Sequence, residues 1–105
     1  MKDLQKRVAQ FVADNGMDTK PEFRALDLVS EVGEVAKEIL KMTDYGRAAA
    51  KPREEIKSEL GDVLFALTAL ADSLDVDLEE ALEMVLGKYT KRLEKGSAGS
   101  ESDQS

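Results

Sequence analysis

Apolar residues in this chain return every three or four positions, and Val and Ile are scattered at that spacing, not alternating over a run of four or more. That period belongs to helices packed along one face, and without alternation nothing reads as a half-buried strand. Turn signals divide the pattern into four segments. Leu4, Val8, Phe11 and Val12 predict a first helix over about Asp3 to Asn15, closed by Gly16. Thr19 and Pro21 then suit the cap and first turn of a second helix that runs to Met42 and stops at Thr43-Asp44-Tyr45-Gly46. A third helix opening at Pro52 or Arg53 carries Ile56, Leu60, Val63, Leu67, Leu70 and Leu74 on one stripe, the expected core face. Asp77, with Glu80 three residues on, has the form of a capping box for a fourth helix ending near Glu94. Short connections favour antiparallel neighbours, so the expected fold is all-α, a four-helix bundle over residues 1–95, with a disordered Gly/Ser/acidic tail over 96–105.

Phe65 lies off the third helix's main stripe, and Ala66 and Ala69 keep the rest of that helix nearly free of charge. A helix that is apolar almost all round is covered on more than one side. In so small a chain the second cover is expected from another subunit, giving a homodimer or homotetramer through this helix.

Composition narrows the chemistry. The 105 residues include no His and no Cys, which excludes His-based metal sites, Ser-His-Asp and Cys-His catalysis, and disulfides. A formal charge of −7 argues against binding a nucleic-acid polymer, although an acidic protein binds a nucleotide when a divalent cation stands between them. No apolar run is long enough for a membrane, and the start, MKDLQKRVAQ, has no apolar secretory region, so a cytoplasmic protein is expected.

The second helix holds Asp27, Glu31, Glu34 and Glu38 within an arc of roughly 60°, and the third holds Glu59 and Asp62 at i and i+3. Two such pairs on neighbouring helices can point four carboxylates at one spot, an arrangement whose repulsion a hard cation relieves. An all-oxygen ligand set favours Mg²⁺, with Mn²⁺ the alternative, over Zn²⁺. The same spacing also fits a solvated face, because the acidic stripe lies nearly opposite Val29, Val32, Ala36 and Ile39. Periodicity does not choose between the two.

Glu31-Val32-Gly33-Glu34, then 24 residues (35–58), then Glu59-Leu60-Gly61-Asp62 resembles the paired acidic signature of the MazG-like nucleotide pyrophosphohydrolases. The flanks are similar as well: Leu28-Val29-Ser30 before, Val63-Leu64-Phe65 after, and further on Leu74 to Ala81 and Lys88-Tyr89-Thr90-Lys91-Arg92. The resemblance, over about residues 3 to 94, implies an all-α enzyme that cleaves a nucleoside triphosphate between its α and β phosphates. It implies Glu31, Glu34, Glu59 and Asp62 as ligands of Mg²⁺, Glu38 as a reserve ligand for a second ion, and Glu31 or Glu34 as general base. It places Lys88 and Arg92 on the substrate phosphates, ahead of Lys37 and Lys41, which border the acidic stripe. Tyr45 and Phe11 are candidates for stacking on a base. Ser30 stands where many relatives carry a further Glu, and the chain has no Trp for an aromatic cage.

Two other readings stand beside this one. Phosphoribosyl-ATP pyrophosphohydrolase of histidine synthesis resembles the same pattern, but it has a Tyr-His pair where this chain has Phe65-Ala66. A non-catalytic helical interaction module would use the acidic stripe only for solubility, and would respond little to metal.

Overall fold

The computed structural model describes residues 1–96, and the tail segment expected to be disordered lies outside them except for its first residue, Gly96. Four helices account for the chain, α1 (Lys2–Asp14), α2 (Pro21–Met42), α3 (Glu55–Ser73) and α4 (Leu78–Glu94), with no strand among the described residues. The expected punctuation holds at three of the helix ends. Gly16 takes φ +60° just past α1, where a side chain would be strained. Pro21 opens α2 in the first turn, although Lys20 rather than Thr19 occupies the cap and makes no side-chain capping bond. Asp77 caps α4, accepting from the backbone N–H of Glu79 (2.9 Å) and Glu80 (3.3 Å).

The third helix starts later than expected, at Glu55, because Pro52 and Arg53 belong to the long connection after α2. That connection turns through Asp44, Tyr45 and Gly46, all at positive φ (50°, 59° and 87°). Backbone bonds from Tyr45 N–H to Leu40 C=O (2.6 Å) and Lys51 N–H to Met42 C=O (2.9 Å) hold the turn against that strain.

Side-chain pairings give the topology. Glu31 meets Glu59 and Asp62, while Glu38 meets Arg53, so α2 and α3 run antiparallel in the most extensive helix pair of the chain. Phe11 meets Phe65 edge-on, with centroids 6.1 Å apart, and Gln5 meets Asp72, so α1 runs antiparallel to α3 as well. The remaining helix, α4, leans chiefly on α1. Gln5 ties this junction together. Its amide nitrogen donates to Val76 C=O (2.9 Å) and Asp72 Oδ1 (3.3 Å), and its amide oxygen accepts the Leu78 N–H (2.7 Å). Gln5 thus satisfies the first free N–H of α4 while Asp77 satisfies the next two.

The core differs from the one expected. Buried side chains on α3 are the small ones, Ala66, Thr68, Ala69 and Ala71, joined by Val12 of α1, whereas Leu60, Leu67 and Leu74 of the expected core stripe are exposed. Thr68 is fully buried and donates back to Leu64 C=O (2.8 Å) and Phe65 C=O (3.0 Å). Small residues let α1 and α2 approach α3 from both flanks, and the leucine stripe is left without a helix of this chain over it. Phe65, half-buried, meets Phe11 of its own chain edge-on. No helix among the described residues is long and apolar enough to cross a membrane.

Candidate metal centre

The residues of α2 that are buried or half-buried are Pro21, Arg24, Leu28, Glu31, Val35, Glu38 and Met42, at intervals of three and four. This is the face turned to α3, and it includes two of the five acids of the helix, Glu31 and Glu38. The outer face is the apolar one: Leu26 is 65% exposed and Val29 69%. For Glu31 and Glu38, therefore, the solvated-face reading fails.

Opposite Glu31 on α3 are Glu59 and Asp62, one turn apart. One carboxylate oxygen from each of Glu31, Glu59 and Asp62 lies within 4.8 Å of the others. Glu31 and Glu59 are half-buried, while Asp62 is exposed at the mouth. Among the described residues no Lys or Arg forms an ion pair with any of the three. Partial burial first, and then the charges of Asp62, Glu59, Glu34 and Asp27, raise the Glu31 carboxyl above its ordinary value.

The donor set fits a hard divalent cation. Ligands on opposite sides of an octahedral Mg²⁺ lie about 4.2 Å apart, given bonds of ~2.1 Å, so small side-chain rotations close these three around one ion. The exposed position of Asp62 leaves an open side for a phosphate.

The other sequence candidates fall outside this cluster. Glu34 is exposed one turn beyond Glu31. Glu38, only 4% exposed, is hydrogen-bonded to Arg53 Nε. Lys37 and Lys41 are exposed on α2, and Lys88 is exposed on α4. Arg92 is half-buried, with its guanidinium 5.3 Å from the centre of the Tyr89 ring. Tyr45 is exposed in the strained turn, and Phe11, although 53% exposed, packs its ring edge on Phe65. The structure adds one residue that sequence reasoning missed, Arg53. A cation just before a helix N-terminus opposes the helix dipole, and that mismatch is the signal the sequence carried.

Known proteins share this sequence pattern and fold. Residues 20–97 match the family model of the MazG nucleotide pyrophosphohydrolase domain. YpjD of Bacillus subtilis is 38% identical over 99 residues, covering 88% of this chain and 85% of its own. YvdC, also of Bacillus subtilis, is 30% identical over 101 residues, covering 88% and 94%. Among solved structures, a Bacillus-conserved MazG protein described as a nucleotide pyrophosphohydrolase superposes with a TM-score of 0.70 at 35% identity, covering 84% of this chain and 86% of that one. The crystal structure of YpjD gives 0.72 at 36% identity, covering 88% and 94%. Fold, acidic cluster and relatives of nearly the same length converge, and the chain belongs to the MazG nucleotide pyrophosphohydrolase family of hydrolases.

Proposed function

We propose that this protein hydrolyses a nucleoside triphosphate, ribo or deoxy, between the α and β phosphates, releasing the monophosphate and pyrophosphate in an Mg²⁺-dependent reaction. The observation that carries the reading is the convergence of Glu31, Glu59 and Asp62 on the inward face of the α2–α3 pair with no protein cation against them. Glu31, Glu59 and Asp62 would hold the ion, with Glu34 one turn away and outside the group. When bound there, a divalent cation supplies positive charge for the triphosphate and activates water. Glu34 stays outside the converging three, and it takes the proton of the attacking water as general base. The electron pair of the broken α–β bridge leaves with pyrophosphate.

Lys88 and Arg92, one turn apart on α4, are the proposed phosphate contacts contributed by that helix, ahead of Lys37 and Lys41 on α2. Glu38 would take a second ion only if it gave up Arg53. The role in the cell is house-cleaning of the nucleotide pool in the cytoplasm.

The protein works as a homodimer or homotetramer. Support comes from apolar side chains left outward on three helices: Leu26, Val29 and Val32 on α2, Leu60 on α3, Met84 and Leu93 on α4. Leu26, Val29 and Val32 leave an apolar strip on the face of α2 turned away from α3, which a second copy would cover. Light scattering on a sizing column reads the assembly directly.

The enzymatic reading is tested by pyrophosphate release from a panel of ordinary and modified NTPs and dNTPs, with Mg²⁺, Mn²⁺ or EDTA. Metal-dependent release with a monophosphate product is expected. A folded protein silent on the whole panel would refute this reading, and phosphoribosyl-ATP would be the next substrate to try.

A further inference from the structure

Of the cations near the α2–α3 seam, Arg53 is held by a carboxylate that is itself buried in it. Its Nε donates to Glu38 Oε2, and Glu55 Oε1 lies 3.8 Å away. Glu38 sits two turns from Glu31 on the same inner stripe, ~10 Å along the helix axis, and Glu55 sits one turn from Glu59, ~6 Å along its own. The guanidinium therefore stands along the seam from the three converging carboxylates, at a distance on the scale of a polyphosphate chain. Among the described residues, Glu38 and Glu55 are its recorded partners, and both meet it through Nε. Among the described residues, its two terminal nitrogens make no hydrogen bond or ion pair. Their planar fork matches a phosphate's oxygens, which a lysine cannot imitate.

We infer that Arg53 binds the β and γ phosphates of the substrate, the part that leaves as pyrophosphate, and that Glu38 is the positioning residue that aims it. This rests on the reading of Glu31, Glu59 and Asp62 as the metal centre. As the bond from water oxygen to the α-phosphorus forms and the α–β bridge breaks, the electron pair goes to the bridging oxygen. Arg53 meets the charge gathering there. It makes the seam a polarised track, with acids holding the cation at one end and an arginine taking the leaving group at the other. Glu38 is thereby a ligand of Arg53 and not of the ion.

The test uses the full chain and three variants, Arg53→Gln, Arg53→Lys and Glu38→Gln. Four quantities are read: KM and kcat on the best substrate, inhibition by pyrophosphate, Mn²⁺ binding without nucleotide, and Tm. Arg53→Gln should raise KM and weaken pyrophosphate inhibition by about tenfold or more, leaving Mn²⁺ affinity near wild type. Arg53→Lys should recover part of that loss, and Glu38→Gln should reproduce a smaller rise in KM. Unchanged KM and pyrophosphate inhibition in Arg53→Gln would overturn the inference. So would a parallel fall in Mn²⁺ affinity and Tm that Arg53→Lys does not relieve, since that marks a purely structural ion pair. If wild type releases no pyrophosphate from any triphosphate, the functional reading fails separately. Calorimetric binding of pyrophosphate with Mg²⁺ to wild type and Arg53→Gln then still decides the role of Arg53: equal affinity overturns it.

Discussion

Toward α3, helix α2 presents Leu28, Glu31, Val35 and Glu38; away from it, Leu26, Val29, Val32 and Ile39. A solitary amphipathic helix would be the other way round, with its acids in water and its valines inside. Placing carboxylates inward costs stability unless something positive joins them, and leaving valines outward costs stability unless something apolar covers them. On the proposed reading the two faces answer to two different partners, a cation on the inside and a second copy on the outside. At the junction of α1, α3 and α4 the opposite holds. There Gln5 and Asp77 satisfy the first three N–H groups of α4 from within the chain, and small residues close the core. One region is complete as it stands, and the other is built to be completed.

Breaking the inner face should have the largest effect. Glu59→Gln with Asp62→Asn is expected to lower hydrolysis by about a thousandfold or more. Tm measured in EDTA should hold or rise, because like charges have been removed. A double variant that is both active and metal-dependent would show that the inward acids are incidental. On the outer face, Val29→Glu should convert the assembly to monomer on a sizing column and lower stability by about 2–3 kcal/mol. Retention of both size and Tm would mean that this apolar face is left in water.

At the complete junction, Gln5→Ala should cost about 2 kcal/mol in urea unfolding by orphaning the Leu78 N–H and Val76 C=O. Activity per folded molecule should stay constant. Smaller again is a pH effect from Glu31. Its carboxyl in the folded chain is raised above 4.5, so the native state keeps a proton that the unfolded chain has released. Its contribution to stability is full below the unfolded value and is lost as pH rises through the folded one. Metal-free wild type should therefore lose Tm relative to Glu31→Gln as pH rises above the ordinary glutamate value of about 4.3. Parallel curves would remove the cluster as the cause.

The four helices were legible because their period, the glycine at position 16, the proline at 21 and the Asp77 cap are local signals. Spacing made Glu31, Glu59 and Asp62 candidates but fitted a solvated face as well; the motif resemblance singled them out, and the structure brings one oxygen of each together. Which face of α3 forms the core was not legible. Size suggested the leucine stripe, but close approach selected the alanines, a choice made by the neighbouring helices and invisible within α3 itself. Arg53 was hidden for a related reason. Its partner Glu38 lies fifteen positions away across a turn of three left-handed residues, and no periodic rule spans such a connection. Glu34 shows the limit of spacing from the other side: it shares the motif with Glu31 yet stays outside the converging three.

The most direct test is thermal unfolding of wild type and the Glu59→Gln, Asp62→Asn variant across a titration of Mg²⁺. Binding to the folded state alone stabilises by mass action, by about 2.7 kcal/mol at a hundred times Kd. Wild-type Tm should climb with Mg²⁺ and fall back on chelation, while the variant stays flat. A wild-type Tm indifferent to Mg²⁺, or a variant that climbs equally, would contradict a metal centre at these carboxylates.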